Sequence, residues 1–134
     1  MAFPTYTSWL TGDVLTASGV NAIATNVNLL AYLPTNPQTG TSYTLALTDV
    51  AYIVEMNNAS ANTLTVPPNS SVAFPTGTQI IVLQTGAGQT TIAAGSGVTI
   101  NSSGSKLKLT GQWSAATLIK RATNTWVLVG DITA

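Results

Sequence analysis

From Tyr43 to the C-terminus, apolar residues fall on every second position, and this alternation limits the possible folds more than any other feature of the chain. "SYTLAL" sets Tyr43, Leu45 and Leu47 on one face. "AYIVEM" sets Tyr52, Val54 and Met56 on one face, with Ile53 and Glu55 on the other. "NTLTV" contributes Leu64 and Val66, and "KLKL" turns Leu107 and Leu109 inward with Lys106 and Lys108 outward. A period of two is the mark of a half-buried strand. "TQIIVLQ" is apolar on both faces from Ile80 to Leu83 and predicts a central strand, while "QTTIAA" and "GVTIN" predict short ones around Gly95 and Gly97. "AATLIKRA" and "NTWVLVGD" predict two closing strands joined by a short turn at Thr123 and Asn124. "TGAGQTTI" predicts a glycine-containing hairpin turn between Gln84 and Thr90. Many short strands separated by Pro-Pro, Phe-Pro-Thr-Gly and Gly-Ala-Gly indicate a mainly β fold, an antiparallel sandwich or barrel spanning 43–134.

Upstream of Pro34 the period changes. In "LTASGVNAIATNVNLLAYLP", Val20, Ile23, Val27 and Leu30 step by three, four and three residues, the spacing of a helical a/d seam. Thr16 is placed to cap the helix start, and Pro34 ends it because the residue before proline avoids the α region. The opposite face carries Asn21, Thr25, Asn26 and Asn28 and no charge. Such a stripe suits three uses: docking on its own β domain, joining a bundle of identical chains, or lying on a foreign surface. Ahead of it, Phe3, Tyr6 and Trp9 sit in an arm that cannot bury them alone, so the arm is expected to anchor to a partner or to its own domain. "PTNPQTGTS", with two prolines and Gly40, reads as a stiff linker over 34–42. The expected organisation is an arm and helix over 1–33, the linker, and the β domain.

Composition narrows the chemistry. Among 134 residues there is no cysteine and no histidine, which removes disulfides, thiolate metal sites and the usual general base. The acids Asp13, Asp49, Glu55 and Asp131 are scattered, and no serine has a histidine to activate it. "TGAGQTTI" lacks the lysine of a phosphate loop. Four cations at zero net charge make no nucleic-acid patch, and no stretch approaches the ~20 apolar residues of a membrane span. The opening "MAFPTYTSWLTGD" has neither the basic residues nor the apolar run of a secretory leader. The chain therefore reads as a non-enzyme without cofactor, metal, nucleic-acid partner or membrane. Charged residues are only 6% of it, against about 25% in ordinary globular proteins. A surface of Thr, Ser and Asn stays wet yet costs little to cover, which suits an assembly of copies.

The stretches "VPPNSSVAFPTGTQI", "GAGQTTI", "GVTI" and "LIKRATNTWVLVGD" together resemble the small β domain of tailed-bacteriophage virion proteins, found in head-fibre and tail-fibre segments and small capsid-associated proteins. "WLTGDVLTASGVNAIATNVNLL" is similar to the opening segment of such proteins, where "GDVLTA" precedes a helix. The resemblance covers Ala51 to Asp131 and implies a homotrimer with a β-sandwich tip and no catalytic residues. It gives two expectations. One is a capsid decoration, cement or head-fibre protein of the virion, assembled in the host cytoplasm. It would be held to the major capsid protein or another virion protein by Phe3, Tyr6 and Trp9, with Val20, Ile23, Val27 and Leu30 as the trimer seam. The other is a tail or fibre-tip component whose β domain binds host surface glycans.

Overall fold

A computed structural model describes residues 32–134, and Leu33–Ala134 form one compact unit. The proposed seam and the anchoring aromatics lie outside the described residues. The unit is mainly β, as the alternation predicts. Its strands are β1 (Thr35–Gln38), β2 (Ser42–Thr44), β3 (Ile53–Met56), β4 (Asn62–Val66), β5 (Gln79–Gln84), β6 (Thr90–Ala94), β7 (Thr99–Ser102), β8 (Lys108–Leu109), β9 (Ala115–Ala122), β10 (Thr125–Gly130) and β11 (Ile132–Thr133). They make a six-stranded sheet, β1-β3-β5-β9-β10-β7, and a five-stranded sheet, β11-β8-β6-β4-β2.

The first six strands alternate between the sheets, so each returning strand lies beside the one two places earlier and runs parallel to it. β1, β3 and β5 pair in parallel in one sheet, and β2, β4 and β6 in the other. The result is a flattened coil of three rungs. β7 is also parallel to its neighbour β10, whereas β5–β9, β9–β10, β6–β8 and β8–β11 are antiparallel. The expected antiparallel sandwich is thus corrected to a mixed one. Alternation reports which side chains point inward, not the direction of the neighbouring strand. Direction is set by the connections, which cross between sheets rather than turning back.

Two local expectations change for the same reason. The stretch read as a linker contains β1 and part of β2, because Asn36 and Gln38 turn inward and the carbonyls of Pro34 and Gln38 accept from Ile53 N (2.9 Å) and Asn57 N (2.8 Å). These bonds aim the even-numbered residues of β1 at β3, so Pro37 faces the free edge. The Gln84–Thr90 stretch is a corner that carries the chain from β5 to β6, not a hairpin. It stacks on the Asn57–Ala61 corner below it: Gly86 N donates to Met56 O (3.1 Å) and Gly88 N to Asn58 O (2.9 Å). A Cβ on Gly86 would strike the Asn58 backbone, and one on Gly88 the Ser60 carbonyl, so only glycine permits this approach.

The core fills the space between the sheets. Val54, Met56, Ile80, Val82, Ala116, Leu118, Trp126 and Leu128 enter from one side; Leu64, Val66, Ile92 and Leu109 enter from the other. Phe74, from the β4–β5 loop, meets Trp126 edge-on with ring centroids 5.4 Å apart. Leu47, expected beside Leu45, is instead exposed in a short 3-10 turn over Leu47–Asp49. The β9–β10 hairpin turns at Thr123 and Asn124 as expected, with Asn124 at φ 52°, a conformation asparagine tolerates.

Candidate interaction surfaces

Among the described residues, three groups of polar side chains are tied together by hydrogen bonds inside the unit. The first internal group closes the open end of the coil. Asp49 is fully buried; its Oδ1 accepts from Asn36 Nδ2 (2.7 Å) and its Oδ2 from Tyr43 Oη (2.7 Å) and Ala46 N (2.8 Å). Gln38 Nε2 donates to Asn36 Oδ1 (2.8 Å), and Asn36 Nδ2 also donates to Tyr43 Oη (3.0 Å). Burial, and then the adjacent Asp49 carboxylate, push the Tyr43 phenol up to about 12. The first rung would otherwise present apolar side chains to water at β1 and β2. It substitutes a hydrogen-bonded polar lid, and Asp49 caps a turn as its position after a strand suggests.

The second group pins the corners. Thr90 Oγ1 donates to Asn62 Oδ1 (2.6 Å), Thr90 N to Gln84 Oε1 (3.0 Å), and Gln84 Nε2 to Gly86 O (3.1 Å), all from buried residues. The third is Lys120, which points inward in line with Ala116 and Leu118 and is 3% exposed. Its Nζ donates to Asn69 Oδ1 and Phe74 O, both at 2.6 Å, tying the β4–β5 loop over the end of the core. Sequence reasoning missed this residue, although its even spacing from Leu118 on an alternating strand was a signal for it. Among the described residues no cluster of three or more acids could hold a metal. Glu55 lies on a sheet's outer surface, and Asp131 is exposed and held by Thr110 Oγ1 (2.7 Å) and Ser114 Oγ (2.9 Å). Those two hydroxyls, Thr110 first, lower the Asp131 carboxyl below its usual range.

The loop that Asp131 steadies presents Trp113, 70% exposed at φ 70°. Trp113 N donates to Gln84 O (2.7 Å) and Gln112 Nε2 to Thr85 O (3.0 Å), so the indole stands on a braced ledge. Left-handed backbone costs a non-glycine residue about 1–2 kcal/mol. Trp126, by contrast, is core as expected, and Tyr43 serves the lid.

The two broad outer faces differ. On the six-stranded sheet, register places Ile53 beside Ile81, Ile81 beside Thr117 and Thr117 beside Val129. Leu83 and Ala115 form a second row, Ile119 and Val127 a third. On the five-stranded sheet, Ser42, Thr63, Thr91, Lys108 and Thr133 lie in one row, and Thr44, Thr65 and Ala93 in the next. The first face mixes aliphatic side chains with Glu55, Gln79, Thr117, Thr125 and Arg121, and the second is mainly hydroxyl. No protein-family model matches the chain, and comparison with curated proteins finds no relative.

Proposed function

We propose that this chain is a structural component of a tailed-phage virion, a capsid decoration, cement or head-fibre protein that performs no catalysis. In this reading it is a homotrimer anchored to the major capsid protein or another virion protein through Phe3, Tyr6 and Trp9, with the β unit facing outward. The observation that carries the reading is the outside of the β unit, which presents two broad, sparsely charged sheet faces. Its buried polar groups all serve the fold: a lid, pinned corners and a tethered loop. Separation of disrupted virions into heads and tails should recover the protein with heads. Trp9→Ala should lower its copy number on heads without altering the β unit's circular dichroism, and Val27→Asp should abolish trimers in light scattering. Full occupancy of heads by the Trp9→Ala chain would defeat the anchor.

A second reading, a tail or fibre-tip component that binds host glycans, draws on Trp113. An indole held exposed against a conformational cost suits stacking on a sugar face. It requires glycan-array binding that Trp113→Ala removes.

A further inference from the structure

We propose that copies of this chain associate through the outer face of the six-stranded sheet, with Glu55 of one copy meeting Arg121 of the next. This rests on the reading above only in requiring an assembly. It locates a contact in the β unit itself, apart from the seam at Val20, Ile23, Val27 and Leu30.

The face is built from every second residue of β3, β5, β9 and β10, and Ile53, Ile81, Leu83, Ile119, Val127 and Val129 form its apolar part between Gln79, Thr117 and Thr125. None of these belongs to the core cluster, and Val129 is 46% exposed. Four strands about 4.8 Å apart and roughly 20 Å long give a face on the order of 400 Å² in projection. That is as large as the largest apolar patch of a typical monomer, about 300–600 Å². Two such faces together bury roughly 800 Å², the size of a weak contact that charge must help to hold. The surface is not flat: a groove beside Ile81, lined by Leu33, Val50, Ala51, Gln79 and Thr117, offers a recess for a side chain.

Charge identifies the occupant. Outward positions of this sheet carry one acid, Glu55 on β3, and one base, Arg121 on β9. Register aligns Glu55 with Leu83 and Leu83 with Ala115. Arg121 lies six residues further along β9, so acid and base stand on opposite sides of an apolar centre, separated by roughly 20 Å along the strands. They are too far apart to pair within one copy. A second copy turned against the first brings its own base to the first copy's acid, and the reverse, while the aliphatic middle covers itself. Formal net charge is zero, so no long-range repulsion opposes the approach.

The test measures the mass of the full chain against concentration by light scattering, for wild type, Glu55→Arg, Arg121→Glu and the double reversal. Melting temperatures check that each variant folds. Each single reversal should weaken association about tenfold, and the double should restore it to within about threefold of wild type. Val27→Asp is run alongside. If the seam fails but the reversals act, only the helix assignment falls. If the reversals leave the dissociation constant unchanged, or the double is as weak as the singles, the sheet face is not the contact. A wild-type chain that is monomeric at every concentration also overturns the proposal, with the face then left to residues 1–31 or to a different protein.

Discussion

The two outer faces share one backbone and one alternation, yet they present opposite chemistry to their surroundings. On the six-stranded sheet isoleucine, leucine and valine share the outward positions with Glu55, Gln79, Thr117 and Arg121; on the five-stranded sheet the corresponding positions carry mainly threonine. Both residue types are β-branched or otherwise suited to a pleated surface, so local strand preference cannot separate them. What separates them is one hydroxyl per side chain, which keeps a face hydrated without any charge. A chain with so few charges is therefore not uniformly adhesive. It has one surface that gains by being covered and one that stays in water.

The most forceful way to break this contrast is to break the coil that carries both faces. Gly88→Ala forces a methyl group into the Ser60 carbonyl, a backbone contact that no rotamer change relieves. We expect a loss of about 3 kcal/mol in denaturant unfolding, with both sheets melting together. A cost under about 0.5 kcal/mol would show that the corners do not set the spacing of the rungs. A smaller effect probes the lid between the faces. Tyr43 keeps its proton up to about pH 12 when folded, against an ordinary value of 10.0. Between those limits the unfolded chain releases a proton that the folded chain retains. Stability from this group is therefore complete below pH 10 and falls as pH rises through the window. Tyr43→Phe should remove that alkaline fall, and an unchanged pH profile would contradict the assignment. The gentlest change sharpens the contrast by making one face like the other. Thr63→Val, Thr65→Val and Thr91→Val together should shift stability by less than about 0.5 kcal/mol. They should also create new concentration-dependent association in light scattering. A triple variant that associates no more than wild type would mean that the hydroxyls are not what keeps this face free.

Much of the fold was legible because burial and alternation are the same statement. Val54, Met56, Leu64, Val66 and Leu109 were all readable as sharing buried faces, and the turn at Asn124 was readable too. Strand direction was not, since a parallel and an antiparallel strand bury the same residues. Nor was the strand hidden in "PTNPQ": two prolines suggest a linker unless one knows that Pro37 faces an edge with no partner to lose. The burial of Lys120 was not legible because a lysine ordinarily stays exposed unless paired. Its partners are an asparagine amide oxygen and a main-chain carbonyl, both 46 or more residues away in sequence. The Trp113 ledge depends on a backbone conformation that no residue preference announces. The arm and the helical stripe, which carry the anchoring and seam assignments, rest on sequence alone.

A stack of parallel rungs has no built-in length; each new turn exposes the template for another. Here growth ends at Pro37, whose ring stands where an incoming strand would need an N–H, with amides and a phenol rather than hydrocarbon behind it. A further rung therefore cannot be added at that margin by the ladder bonds that join the others.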